Sequence, residues 1–158
     1  MKPVRVQIDV PQAREHVYDY LDVMANHEPF TNHLLRDWKY SGPARGIGSK
    51  ARVRTKIAGR TDMIDIEVIA AEPPAKIVEQ NVGAKGRRHA NGTYTLEELP
   101  GGGTRIEFEY SWRQAALTER LAAPLGRVVL RRANEQAMQR LAAALAARDP
   151  DRNPADPE

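Results

Sequence analysis

The chain of 158 residues is 41% hydrophobic and 28% charged, an ordinary balance for a globular fold, and one domain of this length buries about two-thirds of its unfolded surface. It contains no Cys, which excludes disulfides and thiolate chemistry; 24 basic against 21 acidic residues leave a formal +3, too mild to require a nucleic-acid partner. The N-terminus MKPVRVQIDV lacks the apolar run of a signal peptide and no run is long enough to span a bilayer, so a cytoplasmic location is expected.

Val4, Val6, Ile8 and Val10 alternate with Arg5, Gln7 and Asp9, the pattern of a half-buried strand, and Pro11 ends it. In QAREHVYDYLDVMAN, Val17, Tyr18 and Leu21 stand at helical spacing. A second, irregular helix is expected over HEPFTNHLL, interrupted by Pro29. Alternating runs punctuated by Gly and Pro then predict strands at about 35–41, 48–57, 61–72, 75–82, 87–98 and 104–114. From Leu117 to about Ala147 the periodicity is helical, and Pro124 suits a first turn, where no amide proton is needed. Leu125, Val129, Ala133, Ala137, Leu141 and Leu145 form one stripe at spacing four along roughly 37 Å of helix. The Pro- and Asp-rich tail, 149–158, is expected to be disordered, which leaves 1–148 as a single domain. One strand, two short helices, six strands and a long helix make an α+β fold with an antiparallel sheet of about seven strands.

Pairing tests this reading. The run KARVRTK, Lys50 to Lys56, is basic on one face; joined to the next strand through a turn at Ala58-Gly59, it sets Arg52 opposite Asp65 and Lys50 opposite Glu67. The same register sets Val53 against Ile64 and Ala51 against Ile66, so the charges compensate outside and the aliphatics meet inside. In the last hairpin a loop from Leu99 to Gly103 pairs Leu96 with Ile106, Tyr94 with Phe108 and Glu97 with Arg105. It also places Gly92 opposite Tyr110 and Ala90 opposite Trp112, leaving room for ring packing or for a void. The stripe Ile106, Phe108, Tyr110 and Trp112 therefore points inward, toward whatever the long helix covers.

This layout resembles the helix-grip fold of the START and birch-pollen-allergen superfamily, also called SRPBCC, over about residues 3–147. VQIDVPQAREHVYDYLDV stands for the first strand and helix, NGTYTLEELPGGGTRIEFEYSW for the final hairpin and PLGRVVLRRANEQAMQRLAAAL for the grip helix. Within the superfamily the chain looks most like the bacterial polyketide cyclase/dehydrase-type group. The resemblance implies a curved sheet wrapped around the terminal helix with a mostly apolar cavity between them. It further implies a small hydrophobic ligand such as a lipid, a quinone or a polyketide-like chain, and no cofactor.

On the expected inward face lie Thr55, Asp62, Ile64, Ile66 and Val68, then Arg88 and Tyr94, then Phe108, Tyr110 and Trp112. Leu121, Leu125, Val128, Val129 and Arg132 would close the helix side. Arg88 and Asp62 fall near strand ends, where a charge is most simply an exposed rim group. By the resemblance, His27, Phe30 and His33 belong to the cavity entrance, as gate or ligand contacts. Their spacing suits no metal site, and LPGGGT precedes a strand, so it is a hairpin loop and not a phosphate cradle. Three functions remain distinct: a carrier that needs only the cavity, an enzyme that needs a polar group deep inside it with a perturbed pKa, and an interaction module with a collapsed core. Monomer and homodimer are both compatible with the sequence.

Overall fold

Alternation of period two builds most of the chain. Strand β1, Val4–Val10, precedes α1, Arg14–Leu21, a 3₁₀ turn at Met24–Asn26 and the single-turn α2, His27–Thr31. Strands β2, Leu35–Ser41, β3, Lys50–Ile57, β4, Arg60–Glu72, β5, Lys76–Gly83, β6, Arg88–Glu98, and β7, Thr104–Gln114, follow as a meander, and α3, Ala123–Ala147, comes last. The structure is a computed structural model that describes residues 1–57, 59–115, 120 and 123–148. Ala58 of the expected β3–β4 turn, Leu121 and the tail 149–158 fall outside these. All pairings are antiparallel, in the order β1-β7-β6-β5-β4-β3-β2, so the first strand returns to flank the last.

The two registers read from cross-strand chemistry are the observed ones. Arg52 faces Asp65, with guanidinium–carboxylate bonds of 2.7 and 3.0 Å, and Lys50 faces Glu67 at 3.5 Å. Tyr94 pairs with Phe108, Gly92 with Tyr110 and Ala90 with Trp112. The choice between ring packing and a void opposite Tyr110 goes to packing. A Cβ on Gly92 would stand 3.1 Å from two atoms of the Phe108 ring, so glycine is what lets that ring lie across β6. The expected second helix is shorter than HEPFTNHLL, because the chain leaves α2 at Thr31 and enters β2 at Leu35.

Helix α3 packs against β1 and α2, and α1 packs against β6. The core lies where these helices meet the sheet: Val17, Leu21 and Phe30 from α1 and α2, Ile77, Leu96 and Ile106 from the strands, and Leu141 and Leu145 from α3 are all at most 2% exposed. This end of the molecule is closed. Toward the other end of the strands the sheet and α3 separate.

Candidate functional site

The space between them is a cavity of about 540 Å³, within the range that holds a small organic molecule. Its apolar wall comes from Ile64 and Ile66 on β4, Tyr94 on β6, Phe108, Tyr110 and Trp112 on β7, and Leu125, Val129, Leu130 and Met138 on α3. The β7 stripe therefore changes role along its length. Ile106 is fully buried core, whereas the three aromatics after it are partly exposed and face the cavity. Their rings interlock, with Tyr94 to Phe108 at 4.8 Å between centroids and Tyr110 to Trp112 at 5.0 Å, nearly perpendicular.

Of the residues that the sequence placed here, Phe30, Ile64, Ile66, Arg88, Tyr94, Phe108, Tyr110, Trp112, Leu125 and Val129 all line the cavity. His33 does not. Its Nε2 lies 2.8 Å from the Ala133 carbonyl oxygen, tying the start of the sheet to the middle of α3, and it borders a smaller hollow of about 280 Å³ with Arg54 and Thr61. Val128 and Arg132 are exposed and outside the cavity lining, and Val68 is packed core. Asp62 and Arg88 correct the rim expectation. They pair with each other at 2.8 Å with side chains only 26% and 11% exposed, and Asp62 also accepts the Ala84 amide proton at 2.8 Å. The pair thus pins the β5–β6 turn, where Ala84, Lys85 and Gly86 all have positive φ. Around the mouth stand four further cations, Arg60, Lys85, Arg87 and Arg127.

The polar groups deepest in the cavity were not all foreseen. His27 and Glu79 are nine-tenths buried or more, with Nδ1 of the imidazole 3.2 Å from Oε1 of the carboxylate. The other ring nitrogen, Nε2, lies 2.7 Å from the Leu21 carbonyl oxygen. A carbonyl only accepts, so Nε2 carries a proton, and the contact with Glu79 is favourable only if a second proton lies between the two side chains. Burial alone would push the imidazole pKa down. The Glu79 carboxylate, helped by the Leu21 carbonyl and by Asp22, outweighs it, and the net direction is up. The pair is therefore best described as an imidazolium–carboxylate ion pair inside an apolar wall. Tyr94 stands edge-on to His27 at 5.6 Å between ring centroids, and burial, then the charge of Glu79, drive its phenol pKa well above the usual value. It stays a hydrogen-bond donor.

Glu79 and Asn81 escaped the sequence reading because β5 inverts the usual rule. Along KIVEQNVG the buried positions are Ile77, Glu79, Asn81 and Gly83, while Val78 and Val82 are half-exposed on the outer face. Hydropathy by itself turns this strand over. The signal that finds the right face is register: Ile77 opposite Tyr94 carries the inward set of β6 onto Glu79 and Asn81. Among the described residues no group of three or more His, Cys, Asp or Glu could hold a metal ion, and no helix is long and apolar enough to cross a membrane.

A seven-stranded antiparallel sheet facing a long C-terminal helix across a cavity defines the helix-grip class of α+β proteins. Solved structures agree on that fold over almost the whole chain. TTHA0849 from Thermus thermophilus superposes with a TM-score of 0.70 at 15% identity, covering 92% of this chain and 98% of that one. Ara h 8.0201 gives 0.65 at 10% identity, covering 92% and 98%. DynU16, from the dynemicin biosynthetic locus, gives 0.65 at 20% identity; the match covers 97% of this chain and half of DynU16. These similarities establish the helix-grip fold. No family model matches the chain, and no curated protein matches its sequence.

Proposed function

We propose that this chain, through one domain spanning 1–148, binds a small hydrophobic molecule between its sheet and α3. The observation that carries the reading is the cavity itself. A fold that closes fully at one end keeps about 540 Å³ of mostly apolar space at the other, walled by side chains from six strands, β2 to β7, together with α2, the β5–β6 turn and α3. Apolar surface left open at such a scale is costly unless something covers it. The place of DynU16 in a biosynthetic locus is in keeping with a small-molecule cargo of lipid, quinone or polyketide-like character. An interaction module with a collapsed core fits this cavity poorly.

Native mass spectrometry of gently purified protein tests the proposal. A mass increment that vanishes on denaturation is expected, and hydrophobic additives should shift the emission of Trp38 and Trp112, the chain's only two tryptophans, both in the cavity lining. Absence of any response to lipids, quinones and aromatic polyketide mimics would sink it. A second reading, an enzyme acting in the same cavity, is favoured by one observation: acid–base groups with displaced pKa values, His27 and Tyr94, lie deep within it. Turnover of an enolisable ketone, abolished by Glu79→Gln, would move the function from carrier to catalyst.

A further inference from the structure

The deep end of the cavity holds more hydrogen-bonding capacity than the protein uses. Glu79 Oε1 is buried with His27 Nδ1 at 3.2 Å and no other group bonded to it among the described residues, so the carboxylate keeps acceptor capacity to spare. Asn134, on the opposite wall in α3, is 7% exposed, and its Nδ2 is buried without an acceptor. Among the described residues neither the Tyr94 hydroxyl nor the Asn81 amide has a hydrogen-bond partner. All four line the same cavity. Buried polar groups are nearly always satisfied, and each one left open costs on the order of 1–3 kcal/mol. Two such atoms, Glu79 Oε1 and Asn134 Nδ2, on one cavity that the Tyr94 hydroxyl and the Asn81 amide also line, are out of keeping with simple packing.

We infer that this end of the cavity is a recognition site for the hydroxyl group of a hydrophobic alcohol or phenol, bonded to Glu79 as acceptor and to Tyr94 and the Asn81 or Asn134 amide as donors. The inference rests on the cavity-binding reading above and adds the chemical class of the ligand. The choice follows from what each wall group can do. A carboxylate only accepts, so the ligand must offer a proton. Its negative charge is already balanced by His27, so a ligand cation gains little and loses its hydration. The phenol and the amide nitrogens donate, so the ligand must also offer a lone pair. A hydroxyl does both at one atom. A ketone or an ether would leave Glu79 facing an oxygen, and a carboxylate would meet like charge.

The test uses the full chain and two probes of nearly equal size, decan-1-ol and decyl methyl ether, followed by the emission of Trp38 and Trp112. The ether keeps the oxygen lone pairs and lacks the proton. The wild type is expected to bind the alcohol about tenfold more tightly than the ether, the scale of one hydrogen bond to a charged group. In Glu79→Gln that preference should fall below about threefold with ether affinity unchanged. Tyr94→Phe, which keeps the ring packing on Phe108 and His27, should weaken both probes severalfold, and it carries the test should Glu79→Gln fail to fold. Equal binding of alcohol and ether by the wild type, or a preference that survives Glu79→Gln, would overturn the hydroxyl assignment and leave the cavity reading standing. Binding of neither probe would overturn the hydroxyl assignment, and joined by no response to lipids, quinones and aromatic polyketide mimics it would overturn the cavity reading as well.

Discussion

The two halves of α3 have the same sequence pattern and opposite fates. Ala137, Leu141 and Leu145 of the C-terminal half are at most 4% exposed, sealed against the core. Leu125 and Val129, on the same stripe about two turns and one turn upstream of Ala133, are 72% and 45% exposed. The bond from His33 to the Ala133 carbonyl falls where one regime gives way to the other. Helical periodicity specifies which face of a helix is apolar; it carries no information about whether the opposing surface comes close enough to cover it. In this molecule the closed half holds the fold together and the open half bounds the cavity.

Substitutions should separate the two halves. The largest effect is expected at the closed end, where Leu141→Ala removes a fully buried side chain and should cost about 2–5 kcal/mol in denaturant-unfolding free energy. A loss below 1 kcal/mol there would mean that α3 is no better packed at one end than at the other. Gly92→Val should come next, at roughly 1–3 kcal/mol, because the new side chain meets the Phe108 ring 3.1 Å away and one of the two must shift. Full tolerance, read as an unchanged melting temperature, would show that the floor beneath Phe108 is slack.

The ion pair at the boundary gives a pH signature. His27 is held protonated above its ordinary value near 6.5, so its contribution to stability is complete below about pH 6.5 and is lost as pH rises through the raised folded-state value. Urea midpoints should therefore decline in the wild type as pH rises above about 6.5, and Glu79→Gln should flatten that decline. The charges facing the ring are Glu79 from β5 and Asp22 beyond α1, with the Tyr94 phenol from β6. An unchanged slope in the variant would dissolve the pair as a thermodynamic unit. The smallest stability change is expected at the open end, where Leu125→Ala should leave unfolding within about 0.5 kcal/mol of wild type while weakening a hydrophobic probe. If it unfolds the protein instead, the open half is structural and the contrast between the halves fails.

How far the sequence could be read depended on the range of the interactions involved. Strand periodicity, the β3–β4 register with Arg52 on Asp65, and the β6–β7 register with Tyr94 on Phe108 are short-range matters, set by neighbours along the chain and by one hairpin partner. So was the inward direction of the β7 aromatics, and with it most of the cavity wall. What the amino-acid sequence by itself determined, then, is which residues form strands and helices and which side of each is apolar.

The tertiary structure alone decided the rest. It turned β5 so that Glu79 and Asn81 face inward against their own hydropathy, because the register inherited from β6 overrides the preference of any single side chain. Tertiary packing likewise brought His27, from a one-turn helix, to within 3.2 Å of Glu79, a residue more than fifty positions away. It also joined Asp62 to Arg88 as a half-buried ion pair in place of two separate rim charges. Finally, it left the first half of α3 standing off the sheet. Each of these depends on the distance between elements remote in sequence, a quantity that no local pattern encodes.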